Sequence, residues 1–313
     1  MEKRTVVIKT TLQPRTEFFA RAVLAPSTRR AYASDLKHFL GWGGKIPSNA
    51  QMLADYAAHC ADWYSVATTS RRLMAIRHAH VQRGLPLPAG MEAVKGVMRG
   101  IRRERGVAQR QAKPLTRKLL RTIVRGLESS SIGSRDRALL LIGYAGGFRR
   151  SELVGLNVED LEPESEGIVA RIRRSKTDQE GRGRAVAVPR IGGSLCPVNA
   201  LETWLRLARI DSGAVFRRFD RYGHLTPHRL DAGYVSRIVK KRLVALEVDP
   251  KLYSAHSLRS GLVTEAARAG VPSWKIRQQT GHRSDAMLSR YIRDEEIWRG
   301  NAAAAAFKGC KVI

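Results

Sequence analysis

Residues 253–261 read Tyr-Ser-Ala-His-Ser-Leu-Arg-Ser-Gly, and the two basic side chains in that stretch, His256 and Arg259, set the reading of the chain. On a helix, residues three apart project together, so His256 and Arg259 can converge on one anion. Downstream stands Thr280-Gly281-His282-Arg283-Ser284, where Gly281 reads as a helix C-cap that places His282 on a tight turn. Leu288-Ser289-Arg290-Tyr291-Ile292 follows, and Tyr291, one helical turn after Met287, reads by itself as a tyrosine filling an apolar helix face. Upstream, Gly146-Gly147 closes an apolar helix and Arg149 opens a short one, with Glu152 available to orient its guanidinium. Ser175-Lys176-Thr177-Asp178 leaves a strand, where a lysine is ordinarily a solvated hairpin tip. Taken singly, every one of these pieces has an ordinary structural explanation.

Taken in order, they do not. Arg149, Lys176, His256, Arg259, His282 and Tyr291 resemble the signature of the tyrosine recombinase, or phage integrase, family. The offsets of 3 from His256 to Arg259, 23 to His282 and 9 to Tyr291 match it. So do the strings Gly-Phe-Arg-Arg-Ser-Glu-Leu, Ser-Lys-Thr, His-Ser-Leu-Arg, Thr-Gly-His-Arg-Ser and Ser-Arg-Tyr-Ile. The N-terminal part is similar to the family's helical core-binding domain, so the resemblance takes in nearly the whole chain.

The resemblance implies a mainly α fold with a small antiparallel β-sheet. Residues 1–106 would form an N-terminal SAM-like four-helix core-binding domain, 107–114 a linker, and 115–313 an α+β catalytic domain. It implies site-specific recombination of double-stranded DNA through a 3′-phosphotyrosyl intermediate on Tyr291 and a Holliday junction, with no cofactor and no metal. It further implies a homo-tetramer on DNA, in which a C-terminal helix at 294–307 docks on a neighbouring protomer. The short stretch before Ser27 points to the simple Cre-like or Xer-like form, without an arm-binding domain. Integration or excision of a mobile element and resolution of cointegrates or dimers all fit. A type IB topoisomerase-like relaxing enzyme and a non-cutting DNA-binding architectural protein remain as alternatives.

The chemistry supports that set independently. A phosphodiester attacked by an oxygen gains negative charge on its non-bridging oxygens, which two guanidiniums, Arg149 and Arg259, can hold bidentately. His282 can donate a further hydrogen bond, and His256 can accept the tyrosine proton or bind the phosphate. A positive pocket lowers the cost of forming a phenolate from a group with an ordinary pKa of ~10. Lys176 can reach the departing 5′ oxygen as general acid.

Periodicity supplies the frame. The first ~106 residues read as all-helical. Pro26-Ser27-Thr28 starts one helix, with Tyr32, Leu36, Phe39 and Leu40 on one face; Ser48 caps a second through Cys60. Ser65 caps a third, with Leu73 and Ile76 inward, and a fourth runs from Met91 to Arg105. That fourth helix carries Lys95, Arg99, Arg102 and Arg103 as one stripe, which the total charge marks as a DNA-facing surface; Arg71 and Arg72 on the third helix are grouped with them. Thr116 caps a helix with an apolar stripe, and Arg135–Tyr144 reads as a buried central helix. Ile168–Ile172 and Arg184–Val188 read as two strands of a hairpin, and helical patterns continue from Val198 onward.

Charge agrees with a polyanionic partner. Fifty-six Lys and Arg against 28 Asp and Glu give a formal net charge of +28. Residues 1–106 hold 18 basic and 7 acidic groups, leaving 38 and 21 for the rest, so the excess is not one tail. Such a field attracts nucleic acid and makes binding steeply salt-dependent. Cys60, Cys196 and Cys310 form no Cys-x-x-Cys pair, which argues against a zinc ribbon or disulfide scaffold. No apolar run approaches the ~20 residues of a membrane span and no secretory signal opens the chain, so the expected location is cytoplasmic and nucleoid-associated. Phosphate-loop, His-Glu-x-x-His and acidic two-metal motifs are missing from the sequence.

Overall fold

The computed structural model describes residues 23–107, 111–173 and 183–285, together with Arg15, Leu288 and Ala306. The chain divides into two compact units, Met1–Arg110 and Gln111–Ile313. Lys113 and Leu115 donate their backbone N–H groups to the carbonyls of Leu252 and Ser257, so the described end of the expected linker is already stitched into the second unit.

The first unit is helical: α1 (Pro26–Gly41), α2 (Ala50–Trp63), α3 (Val66–Gln82) and α4 (Met91–Arg105). Ser65 caps α3 by accepting from the Thr68 N–H, as its sequence position predicts. The cap of α2 is Asn49 rather than Ser48, which instead bonds the Lys45 carbonyl through its hydroxyl and the His80 ring through its N–H. Phe39, Leu53, Tyr56, Cys60, Ile76 and Val94 form the core. On α1 the inward face differs from the expected one: Leu40 is exposed and Asp35 is buried. Asp35 is turned inward because it accepts two bonds from Arg71 and lies within ion-pair reach of Arg72, both on α3.

In the second unit, α5 (Arg117–Arg125) is capped by Thr116 and buries Leu120, Ile123 and Val124. The central helix α6 (Ser131–Ala145) is buried along Ala138–Gly143, and a short α7 (Arg150–Gly155) follows. A three-stranded antiparallel sheet then forms in the order β1-β2-β3, from β1 (Leu161–Glu164), β2 (Gly167–Ile172) and β3 (Arg184–Pro189). Its β2–β3 register pairs Ile168 with Val188, Ala170 with Val186 and Ile172 with Arg184. Those apolar residues form the inward face, as period-two alternation requires. The hairpin reading of β2 and β3 holds, whereas β1, with its Leu-Glu-Pro-Glu sequence, shows no apolar alternation to announce it.

After α8 (Pro197–Ala208), a second two-stranded sheet interrupts the helices expected there: β4 (Arg217–Phe219) pairs antiparallel with β5 (Leu225–Arg229). Both strands are polar and largely solvated, so their sequences carry no inward face to read. Trp204 on α8 is fully buried and donates its indole N–H to the Val215 carbonyl at 2.8 Å, fixing the start of that excursion. Helices α9 (Ala232–Val244), α10 (His256–Arg268) and α11 (Ser273–Thr280) complete the described fold. No helix among the described residues is long and apolar enough to cross a membrane.

Candidate active site

Three consecutive carbonyls at the end of α11 organise the basic residues. Gln279 O accepts from Arg184 at 2.8 Å, Thr280 O from Arg259 at 2.5 Å and Gly281 O from Arg149 at 3.3 Å. The last carbonyls of a helix lack intrahelical partners and carry the negative end of its dipole, so guanidiniums are the complementary donors. Each arginine comes from a different element: Arg184 opens β3, Arg259 lies in the first turn of α10, and Arg149 is the N-cap of α7.

Local backbone makes this convergence possible. Gly147 turns the chain out of α6 with φ +56°, and a Cβ there would meet the side chains of Leu262 and Thr280 at 2.9 Å. Arg149 follows directly. Its N–H bonds Glu152 Oε2 at 3.0 Å and its Nη1 bonds Oε1 at 2.6 Å. Glu152 is buried, and Oε2 also accepts from Arg184 Nη2 at 2.8 Å, so one carboxylate holds two arginines. A buried carboxylate with charged hydrogen-bond partners is tolerated only because they satisfy it. Arg259 is 2% exposed and reaches both the Gly147 and Thr280 carbonyls through Nη1. Gly281 closes α11 at φ +68°, as its sequence position predicts, and a Cβ there would lie 2.9 Å from Arg184 Nε. The side chain of Gln279 locks the same corner by donating to the Ala145 and Ala187 carbonyls.

His282 stands on the turn after Gly281, is buried, and bonds Thr280 Oγ1 through Nδ1 at 2.7 Å. Burial first, then the charges of Arg259, Arg149, His256 and Arg184, push its pKa down to about 3, so its imidazole is neutral near pH 7. His256 begins α10 with an exposed edge. Partial desolvation of its ring, followed by Arg259 and Arg149, lowers its pKa from the usual histidine value. The described part of the site therefore combines permanently charged guanidiniums with two histidines biased toward neutrality.

Of the six residues singled out by sequence, four are brought together here: Arg149, His256, Arg259 and His282. Lys176 and Tyr291 lie outside the described residues, as does segment 294–307 apart from Ala306. Among the described residues, no grouping of His, Cys, Asp or Glu is suited to hold a metal ion.

On the first unit, Lys95, Arg99, Arg102 and Arg103 are all exposed on α4, opposite the buried Val94 and Met98. Arg71 is half-exposed and occupied by Asp35. Arg72 corrects an expectation, because it is 7% exposed and packed inside the unit. Its guanidinium bonds His38 and Cys60 and lies 3.7 Å from the Tyr64 ring centroid, which takes it away from any DNA surface.

Sequence reasoning missed Arg184 and Thr280. A signal existed for Arg184: it shares the period-two face of the buried Val186 and Val188. An arginine on an inward strand face must find acceptors, which makes it a candidate for a buried ionic network. Thr280 carried no comparable signal beyond its neighbourhood to Gly281.

The second unit thus gathers arginines and histidines at one helix end, a set of fixed donors whose charge is complementary to an anion. The sequence profile of the phage integrase family matches residues 113–296, and the chain belongs to that family. It is a tyrosine-type site-specific recombinase. An integrase/recombinase XerD homolog from Selenomonas ruminantium is 35% identical over 290 residues, covering 89% of this chain and 84% of that protein. The tyrosine recombinase XerC of Pseudomonas entomophila (strain L48) is 30% identical over 207 residues, covering 54% of this chain and 66% of that protein.

Two solved structures share the fold at low identity. The XerH site-specific recombinase, bound to a palindromic difH substrate after cleavage, superposes with a TM-score of 0.64 at 17% identity, covering 88% of this chain and 78% of that one. The Tn1549 transposon integrase, in complex with transposon right end DNA, gives 0.62 at 17% identity, covering 90% and 96%.

Proposed function

We propose that this recombinase binds double-stranded DNA at a specific site and cuts it with Tyr291. The Tyr291 oxygen forms a bond to phosphorus while the bond from phosphorus to the 5′ oxygen breaks. The phenol proton passes to His256, and Lys176 supplies a proton to the departing 5′ oxygen. Arg149 and Arg259 hold the non-bridging oxygens, with Glu152 orienting Arg149, and His282 completes the set around the phosphate. The 3′-phosphotyrosyl ester conserves the bond energy, so a 5′ hydroxyl from another strand can reverse the step without ATP.

The observation that carries this reading is the anchoring of Arg149 and Arg259 to successive carbonyls at the end of α11, directly before His282. Guanidiniums held in place before the substrate arrives need no reorganisation as charge develops on the phosphate. Residues 1–106 serve as the core-binding domain, with Lys95, Arg99, Arg102 and Arg103 contacting phosphates or the major groove. Residues 115–313 are the catalytic domain. Four protomers assemble on two duplexes, segment 294–307 docks on the neighbour, and exchange proceeds through a Holliday junction. The enzyme acts in the cytoplasm on nucleoid or mobile-element DNA, in integration, excision or resolution. The XerD homolog and the Tn1549 integrase among its relatives are consistent with either setting.

A nicked suicide substrate carrying the cognate site tests the chemistry. Wild type should form an SDS-resistant DNA adduct, with EDTA present, and Tyr291→Phe should form none. Absence of the wild-type adduct would defeat the catalytic reading, and an adduct with Tyr291→Phe would defeat the choice of nucleophile.

A further inference from the structure

Arg71 lies in the second turn of α3 and reaches across to α1, where Asp35 accepts from its Nε at 2.8 Å and from its Nη2 at 3.0 Å. The arginine side chain is 49% exposed and the aspartate 4%, so the carboxylate lies beneath and the guanidinium meets water. Arg72 stands on the buried side, its Nε 3.7 Å from Oδ1 of the same carboxylate. A guanidinium carries five N–H groups in a planar fork. Asp35 takes the edge formed by Nε and one N–H of Nη2. Both N–H groups of Nη1 and the second of Nη2 form the other edge, and no other described residue bonds them. Such a pair is a poor phosphate grip, because the carboxylate cancels the charge that attracts a polyanion. What the carboxylate supplies is direction, and direction is what base reading needs.

We propose that Arg71 is a specificity-determining residue, held by Asp35 so that its open edge pairs with one guanine of the recombination site. This rests on the reading above that the protein binds a specific duplex site. Two parallel donors on a planar fork match the O6 and N7 acceptors that guanine shows in the major groove. The surroundings suit a duplex. Asp35 is the single acidic residue in α1 and α3, and it is buried, while Arg30, Lys37 and Arg77 on the same helices are exposed. Phosphates therefore meet no exposed carboxylate on these two helices. Ala67 and Met74, one turn to either side of Arg71, are exposed and uncharged, so Arg71 is the hydrogen-bonding group at the centre of that strip. The exposed stripe on α4 has no such carboxylate behind it, and its cations serve phosphates of any sequence.

Binding alone tests this, without cleavage. Full-length protein selects duplexes from a randomised library, and the bound fraction is sequenced. Wild type should return a motif containing a guanine preferred roughly 5- to 100-fold, the range that one bidentate pair supplies. Arg71→Gln should turn that one position toward adenine, which an amide reads through N6 and N7, and leave the other positions unchanged. Arg102→Gln should instead weaken all sequences alike and leave the motif intact. A folded Arg71→Gln that returns the wild-type motif would overturn the proposal and leave Arg71 as a tie between helices or a phosphate contact. Equal loss at every position would overturn it too. If Arg71→Gln fails to fold, Arg71→Lys decides: it keeps the ion pair with Asp35 but lacks the second edge, so the guanine preference should fall several-fold. An undiminished preference in that variant would also sink the idea. A wild type that returns no motif at all would defeat site-specific binding itself, a result distinct from an intact motif in the variants.

Discussion

Along α4, Lys95, Arg99, Arg102 and Arg103 stand exposed to water, with Lys95 paired to Glu92 on the same helix. At the end of α11, Arg149, Arg184 and Arg259 are half-buried or buried, and each bonds a particular backbone carbonyl. Both regions are rich in the same residue type, but they use it differently. Exposed cations on long side chains neutralise phosphates interchangeably, and salt screens them. Guanidiniums fixed by acceptors behind them keep one geometry, and burial keeps them unscreened. The first arrangement supplies attraction, and the second supplies position.

The largest expected break in that contrast is Arg259→Lys. The ammonium keeps the charge but cannot span the Gly147 and Thr280 carbonyls while facing a phosphate bidentately. Adduct formation should fall by ~10²–10³, the usual cost of losing one oriented donor. A rate within a few-fold of wild type would show that charge alone suffices. Next comes Arg184→Gln, which leaves Glu152 with Arg149 alone and removes the donor to Gln279 O. Thermal unfolding should move down by several degrees, and the His282 pKa should rise as one of the charges depressing it is lost. An unaltered melting point together with an unaltered His282 titration would reduce Arg184 to a bystander.

On the other side of the comparison, replacing Arg99, Arg102 and Arg103 by Gln should weaken DNA binding and lower the salt slope of log K by about 1 per residue. Cleavage at saturating DNA should suffer far less than with Arg259→Lys. A full-strength salt slope in the triple variant would move the phosphate contacts elsewhere.

The smallest effect concerns acid. His282 titrates near 3 in the folded chain and near 6.5 when unfolded, so between those values the unfolded chain binds the proton that the folded one refuses. Stability should therefore decline as pH falls from about 6.5 toward 3, and His256 contributes in the same direction. Urea unfolding of DNA-free protein across this range should show a shallower decline in His282→Asn than in wild type.

The sequence was most legible where a residue type has one dominant structural use. Gly281 with positive φ, Ser65 and Thr116 as caps, and the alternating β2–β3 hairpin were all readable because local chemistry and final fold agree. The strands β4 and β5 were not, because strands with little buried surface carry no inward pattern. Arg72 misled for a related reason. Charge is read as surface by default, whereas Asp35, Tyr64 and Cys60 supply a buried place for it. At the site, Arg149, His256, Arg259 and His282 were legible as a set through their resemblance to the tyrosine recombinase signature, each having an ordinary structural reading by itself. Arg184, Thr280 and Gln279 act by holding other groups, and that work is defined by which carbonyls lie nearby, something spacing does not encode.

The corner at the end of α11 also has a consequence in time. Arg149 finds its carbonyl 132 residues further along the chain, at Gly281. At synthesis rates of ~5–20 residues per second, that carbonyl leaves the ribosome on the order of ten seconds after the arginine that will bind it. Until then the guanidiniums of α7 and β3 have no helix end to close upon. A growing chain thus presents its cationic first unit for some seconds before the helix end that fixes the arginines of the second unit exists.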